Sequence, residues 1–310
     1  MENHSAAIKI ISWFLLIVSV GAVVVCFLTS WHLLRRRILV VVLLLSTLIS
    51  SIIAGASVSV AATRGLGQSL SVDSENQFVI IQKALYVSAI FHILTLGLGK
   101  LSLAVLFYII LSGTGQTKPT LVVGSFLILW TMTMIIAVSL QCHPPEVWNL
   151  ASGACIDVTA LWTYFNATNI VIEAVLVIVP CVVVFRLNLR LRRRLVVIGC
   201  FSVRTLDIVV SAIQLHYTDA FNTHTSISLA LWPWIMCSQV LQTVTIVSAC
   251  VPYLREFLES FPSGMLQPLG VEPTSLRYAY GSTRILDSDL TTEQGHELYH
   301  LKPSVRSSSR

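Results

Sequence analysis

Apolar residues in this chain come in long continuous runs, each closed by a short polar or basic segment. Alternation over segments of about 10 residues, the mark of a membrane β-strand, is missing. Runs of about 20 residues suit helices that cross a hydrocarbon core of roughly 30 Å. Seven are read, at residues 8–31, 38–63, 79–111, 121–140, 158–185, 195–215 and 226–251. The third is long for one crossing and implies tilt or an extension beyond the bilayer. Polar punctuation separates the runs: Arg35, Arg36 and Arg37, then RGLGQSLSVDSENQF, SGTGQTKP, QCHPPEVWNLASGACID, RLNLRLRRR and HYTDAFNTHT. A signal peptide competes for the first run, but its apolar core would be about 7–15 residues after a basic start, and only Lys9 precedes a longer stretch. The fold class read here is all-α, a polytopic bundle of seven transmembrane helices. Residues 1–251 form the bundle and residues 252–310 a tail whose Ser, Pro, Gly and charge content predicts disorder.

Composition adds an exclusion. Of 310 residues, 55% are apolar and 11% charged, with a mean hydropathy of +0.79. A soluble domain carries about 25% charged residues, so an ordinary cytosolic enzyme is ruled out. The formal charge of +5 is a topology signal. With the N-terminus outside, Arg35, Arg36, Arg37, Lys118, Arg186, Arg190, Arg192, Arg193, Arg194 and Arg255 face inward, and Lys9, Arg64 and Lys83 outward. Ten basic residues against three place the tail in the cytoplasm. The partners expected are the lipid bilayer, with anionic inner-leaflet lipid the natural partner of the Arg186 to Arg194 run, a small apolar ligand, and a cytoplasmic signalling partner at that run and the tail. Nucleic acid is not needed to explain the charge.

This topology puts Cys142 and Cys155 in one outer loop, where an oxidising compartment permits a disulfide around Trp148. Two free thiols are the other reading. Asn3 opens a glycosylation sequon ahead of the first span, and Asn166 a second one that its place inside the membrane discounts.

An ionisable side chain at the bilayer centre costs about 2.5–3.5 kcal/mol on insertion scales, so each needs a partner, a wet cavity or an escape to the interface. Lys100, Glu173, Arg204 and Asp207 lie there and sum to zero charge. Helical rise places Glu173 about 20 Å below the outer end of span five and Arg204 about 14 Å above the inner end of span six. Arg204 and Asp207 are neighbours at i and i+3, so one network of Glu173, Arg204 and Asp207 is expected, with Lys100 joining it or snorkelling inward. Asn166, Asn169 and Glu173 share a face of span five; Ser238, Gln242 and Thr245 share one of span seven, one turn after Trp234. With His92 these outline a polar interior. It reads either as a ligand pocket or switch built on Lys100, Asn169, Glu173, Arg204, Asp207 and Gln242, or as interhelical bonding that holds the bundle together. No phosphate loop, HExxH pair or CxxC spacing occurs, and no metal or cofactor is implied.

Several segments resemble the fungal rhodopsin-domain family of seven-helix membrane proteins, which includes receptor-like proteins of plant-pathogenic fungi and members encoded in secondary-metabolite gene clusters. They are Gly65–Gly67 (GLG), GKLSLAVLFY from Gly99, QCHPPEVWN with GACID from Gln141, NIVIEAVLVIVP from Asn169, FSVR ending at Arg204, and ACVPYLREFLESFPSGM from Ala249. The resemblance carries the family's Lys-x-Ser onto Lys100 and Ser102, its outer-loop cysteines onto Cys142 and Cys155, and its intramembrane arginine onto Arg204. Glu173 stands where the family usually has Asp. The paired aspartates at the start of span two are missing, and Gln239 and Gln242 are the nearest substitutes for an acid of the last span. Retinal is not expected, because a Schiff base needs a lysine and the last span has none. With span one starting at Ile8, no cysteine-rich domain is expected ahead of the bundle. The resemblance implies a non-enzymatic, receptor-like protein of the plasma membrane. A transporter or accessory protein for secondary metabolism is the alternative, and an intramembrane cyclase using Glu173 or Asp207 is a more distant one.

Overall fold

The computed structural model describes residues 5–34, 38–67, 75–112, 118–143, 145, 147–149, 155–186, 199, 202–222 and 231–260. Among these, the main helices are α1 (Ser5–Leu34), α2 (Ile38–Thr63), α3 (Glu75–Ser112), α4 (Lys118–Ser139), α5 (Val158–Arg186), α6 (Thr205–His216) and α7 (Trp232–Ser260), with a 3-10 segment at Tyr217–Asn222. All except α6 are long and apolar enough to cross a membrane. The chain is a multi-pass, all-helical membrane protein.

Local chemistry sets several boundaries. Gly65 and Gly67 take φ of 107° and 81°, left-handed values that glycine adopts without a Cβ clash. They turn the chain out of α2, and Leu66 between them is driven fully into the core. Asp157 caps α5, its Oδ1 accepting from the Ala160 N–H at 3.0 Å. At α3, 38 residues extend about 57 Å, which agrees with the tilt or extension read from the sequence. The helix of the sixth crossing begins at Thr205, and residues 195–198, 200 and 201 of the predicted span lie outside the described residues. So do Asn3, Arg35–Arg37, Arg190, Arg192, Arg193, Arg194 and residues 261–310.

One boundary differs from the reading of the sequence. α7 runs through Pro252 to Ser260, although composition turns polar at Pro252. Proline costs one backbone bond, but the next residue, Tyr253, is 2% exposed and packs with Val23, Cys26 and Leu106 of α1 and α3. That burial holds the helix together past the proline.

Polarity is inverted relative to a soluble protein. Trp13, Phe14, Leu28, Leu39, Phe126, Leu129, Val171 and Ile178 point outward, more than half exposed, while Lys100, Glu173, Arg204 and Asp207 are at most 1% exposed. A hydrocarbon solvent explains both halves of this distribution. Hydroxyls on the helices bond backward to their own turns, as Thr47 does to Leu43 O, Thr95 to Phe91 O and Thr131 to Leu127 O, each at 2.7 Å. α3 lies centrally, in contact with α2, α4 and α7, while α6 sits between α5 and α7. Close approaches use small residues: a Cβ built on Gly99 would lie 2.6 Å from Thr245 Cγ2 across the α3–α7 contact.

Candidate functional site

Two linked features occupy the interior. The deeper one is a layer of charge where α3, α5, α6 and α7 converge. Lys100 Nζ of α3 lies 2.7 Å from Glu173 Oε1 of α5 and donates to Asn169 Oδ1, also at 2.7 Å. Glu173 Oε2 accepts from Arg204 Nη1 at 2.5 Å. One carboxylate thus holds two cations with almost no water, which is the arrangement in which charge-assisted bonds are strongest. Asn169 passes the contact on, its Nδ2 donating to Ser211 Oγ of α6 at 2.8 Å. Arg204 Nε and Nη2 have no hydrogen-bond partner among the described residues.

Asp207 departs from the expected network. It is bonded to α7, accepting from Thr245 Oγ1 at 2.9 Å and from Ser248 Oγ at 3.3 Å. Three residues along a helix rotate a side chain by about 60°, which is enough for Arg204 to face α5 while Asp207 faces α7. Lys100 does not snorkel; it is fully buried in the layer. Lys100, Asn169, Glu173 and Arg204 therefore form one bonded group, with Asp207 beside it.

The second feature is a small, open-mouthed cleft lined by Tyr86, His92 and Gln141, by Trp162 and by Phe221, Trp234 and Ser238 among others. It lies at the end of the bundle that carries the disulfide. Cys142 and Cys155 are bonded there, and Ile156 N–H donates to Gln141 O at 2.9 Å to zip the two segments together. The ammonium of Lys83 rests over the Trp148 ring at 4.6 Å. Tyr86 OH donates to Ser139 O at 3.1 Å, tying α3 to the end of α4.

The cleft floor is aromatic. His92 packs against Trp162, Phe165 and Trp234 with centroids 6.4, 5.9 and 6.5 Å away, and Trp162 meets Trp234 edge-on at 4.7 Å. Beneath it a polar seam leads to the charged layer. Gln242 Nε2 bonds His92 Nδ1 at 3.2 Å, and Gln214 Nε2 donates to Ser238 Oγ at 2.7 Å. From His92 to Lys100 on α3 is about 12 Å of helical rise, and from Ser238 to Thr245 on α7 about 10 Å. Gln242 thus belongs to the seam beneath the cleft floor, bonded to His92 and sharing α7 with Thr245.

On the α6 side of this seam the sequence reading picks out Asp207 but not Ser211, Gln214 or Thr218. Asp207, Ser211, Gln214 and Thr218 are all buried, and their i, i+4, i+7, i+11 spacing puts them on one face. That spacing was the available signal. Tyr86 and Phe221 carried none, since nothing distinguishes a cleft aromatic from a packing one in sequence.

The residues present do not fit retinal. α7 contains no lysine from Trp232 to Ser260. The buried amine, Lys100, does not line the cleft and is engaged by Glu173 and Asn169. Among the described residues no three His, Cys, Asp or Glu side chains are grouped to hold a metal ion.

Comparison with known proteins agrees with the geometry. Receptor GIN3 of Arthrobotrys oligospora is 24% identical over 192 residues, or 60% of this chain and 46% of that protein. The chain thus spans about half the length of that curated relative. No solved structure matches the chain. The family model described as the fungal rhodopsin domain matches residues 37–260. That match takes in α2 through α7, with the cleft and the charged layer inside it, and the chain belongs to the fungal rhodopsin-domain family.

Proposed function

We propose that this is a non-enzymatic, receptor-like protein of the plasma membrane, with its N-terminus and disulfide outside. It senses a small molecule in the cleft and reports occupancy to the cytoplasmic side through the charged layer. The observation that supports this reading most directly is the physical link between the two features. His92 lines the cleft and is bonded to Gln242 on α7, the helix that also supplies Thr245 and Ser248 to Asp207. An occupant that displaces His92 or Trp234 shifts α7 against α3, and α7 carries the bonds that hold Asp207. A buried, neutral set of charges has few alternative pairings, so small displacements convert into discrete rearrangements. The name of the relative, a receptor, is consistent with this reading. The basic run Arg186 to Arg194 and the tail would then meet a signalling partner in the cytoplasm.

The test is complementation of a deletion strain with surface-expressed variants. Glu173→Gln and Arg204→Leu, present in the membrane at wild-type amounts, should fail to restore the host response that the wild-type chain restores. Full restoration by both would refute the proposal.

A further inference from the structure

Within the reading of the cleft as a sensing site, two wall residues specify what it takes. Ser88 of α3 and Gln141, just past the end of α4, both line it and are 8% and 4% exposed. Neither side chain makes a hydrogen bond among the described residues, and their polar atoms are not sealed from water as Trp234 Nε1 and His92 Nε2 are. The little surface they keep opens into the cleft, and it includes the Ser88 hydroxyl and both ends of the Gln141 carboxamide. Gln141 is also fixed in place. Its N–H donates to Val138 O at 3.3 Å, its C=O accepts from Ile156 N–H at 2.9 Å, and its neighbour is the disulfide-bonded Cys142. The bond from Tyr86 OH to Ser139 O fastens the Ser88 and Gln141 segments together. With the backbone held, an occupant has only the side-chain torsions of Gln141 to order.

A carboxamide carries a donor and an acceptor side by side. An occupant with an acceptor alone, such as an ester or ketone, answers Gln141 Nε2 and shuts Oε1 away from water without a partner. A hydroxyl plays both roles at a single atom and cannot face both ends in line. A lactam or primary carboxamide presents N–H and C=O at the spacing of the glutamine's own, so two bonds close in one plane. Exchanging the two ends of the Gln141 amide only turns the occupant over, so the argument does not depend on which end is oxygen. The Ser88 hydroxyl supplies a donor for the second lone pair of the occupant's carbonyl. Around these groups stand Leu85, Val158, Trp162 and Phe221, which offer an apolar and aromatic wall. We infer that the cleft binds a small lactam or primary carboxamide with an apolar ring. Its amide edge pairs with Gln141, its carbonyl also takes the Ser88 hydroxyl, and its ring lies against Trp162 and Phe221. This inference rests on the sensing reading for its purpose, but not for its chemistry.

Four two-ring probes of one shape separate the alternatives: the lactam 3,4-dihydroisoquinolin-1-one, the lactone isochroman-1-one, the alcohol 1-tetralol and the hydrocarbon tetralin. Each is measured by equilibrium dialysis against the full chain in lipid nanodiscs, with empty nanodiscs subtracted. The lactam should bind about fivefold tighter than the lactone, the worth of one further net hydrogen bond, and tighter than the alcohol. Gln141→Met keeps the length of the side chain, removes both ends of the amide and should bring that ratio near one while tetralin still binds. Ser88→Ala should weaken lactam and lactone alike by about threefold and leave tetralin unchanged. Ala89→Phe, at a lining position, should abolish binding of all probes. Equal wild-type binding of lactam and lactone, tightest binding by the alcohol, or no binding by any of the four overturns the inference. So does a lactam preference that survives in Gln141→Met, or an unchanged lactam affinity in Ser88→Ala; the wild-type ratio and Ser88→Ala decide it should Gln141→Met not fold. Should the alcohol bind best and be blocked by Ala89→Phe, the ligand class falls while the cleft remains in use. Failure of the sensing reading appears separately, in the host response of the Glu173 and Arg204 variants.

Discussion

Replacing Glu173 by glutamine keeps the shape of the side chain and removes the anion that Lys100 and Arg204 share. The two cations lie 2.7 and 2.5 Å from its oxygens, and all three side chains are at most 1% exposed. Before the change the four buried charges sum to zero; afterwards one positive charge stands uncompensated. Breaking a buried pair by removing one partner costs about 3–5 kcal/mol. For a bundle of this size each kcal/mol lowers Tm by roughly 2–4 °C, so Glu173→Gln should melt on the order of 10 °C below the wild type. Arg204→Leu removes a cation and leaves a net negative charge, with a loss of similar kind. The double variant restores neutrality between Lys100 and Asp207. Its loss should therefore fall short of the sum of the two singles by about 2 kcal/mol, within the range of coupling found for contacting residues. Thermal unfolding of the purified protein in detergent, run as a double-mutant cycle, reads all three values. Strict additivity, or a Glu173→Gln protein as stable as the wild type, would refute the view that the layer is held by charge compensation.

The α3–α7 contact allows a steric version of the same test. Gly99→Ala puts a Cβ 2.6 Å from Thr245 Cγ2 and should destabilise by about 1–3 kcal/mol; adding Thr245→Ser removes that methyl, keeps the hydroxyl on Asp207, and should recover most of the loss in the same melting assay. A Gly99→Ala protein of unchanged Tm would show that the helices yield freely there. Cys142→Ser opens a loop whose ends are 13 residues apart and should cost about 3 kcal/mol by chain entropy, seen as a lower Tm that matches the wild type under strong reductant. If reductant lowers the variant as much as the wild type, the disulfide is not the source of the difference.

Much of this molecule was readable before any coordinates, because hydrocarbon imposes simple rules. Continuous apolar runs located α1 to α5 to within a few residues, and the cost of buried charge singled out Lys100, Glu173, Arg204 and Asp207. What sequence could not give was direction around each helix axis relative to its neighbours. Lys100 and Glu173 are 73 positions apart; depth arithmetic put them at similar levels, but only packing decides whether the amine turns inward or snorkels. The same limit split Arg204 from Asp207, which a linear i, i+3 rule had joined. The end of α7 was misplaced for a different reason: composition changes at Pro252, whereas burial of Tyr253 carries the helix onward. The cleft was legible only at His92, Trp234 and Ser238, since Tyr86, Trp162 and Phe221 come from three separate segments.

The neutrality of the charged layer has an electrical consequence. A single elementary charge carried through a membrane potential does work of about 2.3 kcal/mol per 100 mV, enough to make a moving helix a voltage sensor. Lys100, Glu173, Arg204 and Asp207 carry two positive and two negative charges, so moving them together along the membrane normal does no net work at any potential. A bundle built this way can shift its interior in response to chemistry while the voltage across the membrane rises and falls without effect on it.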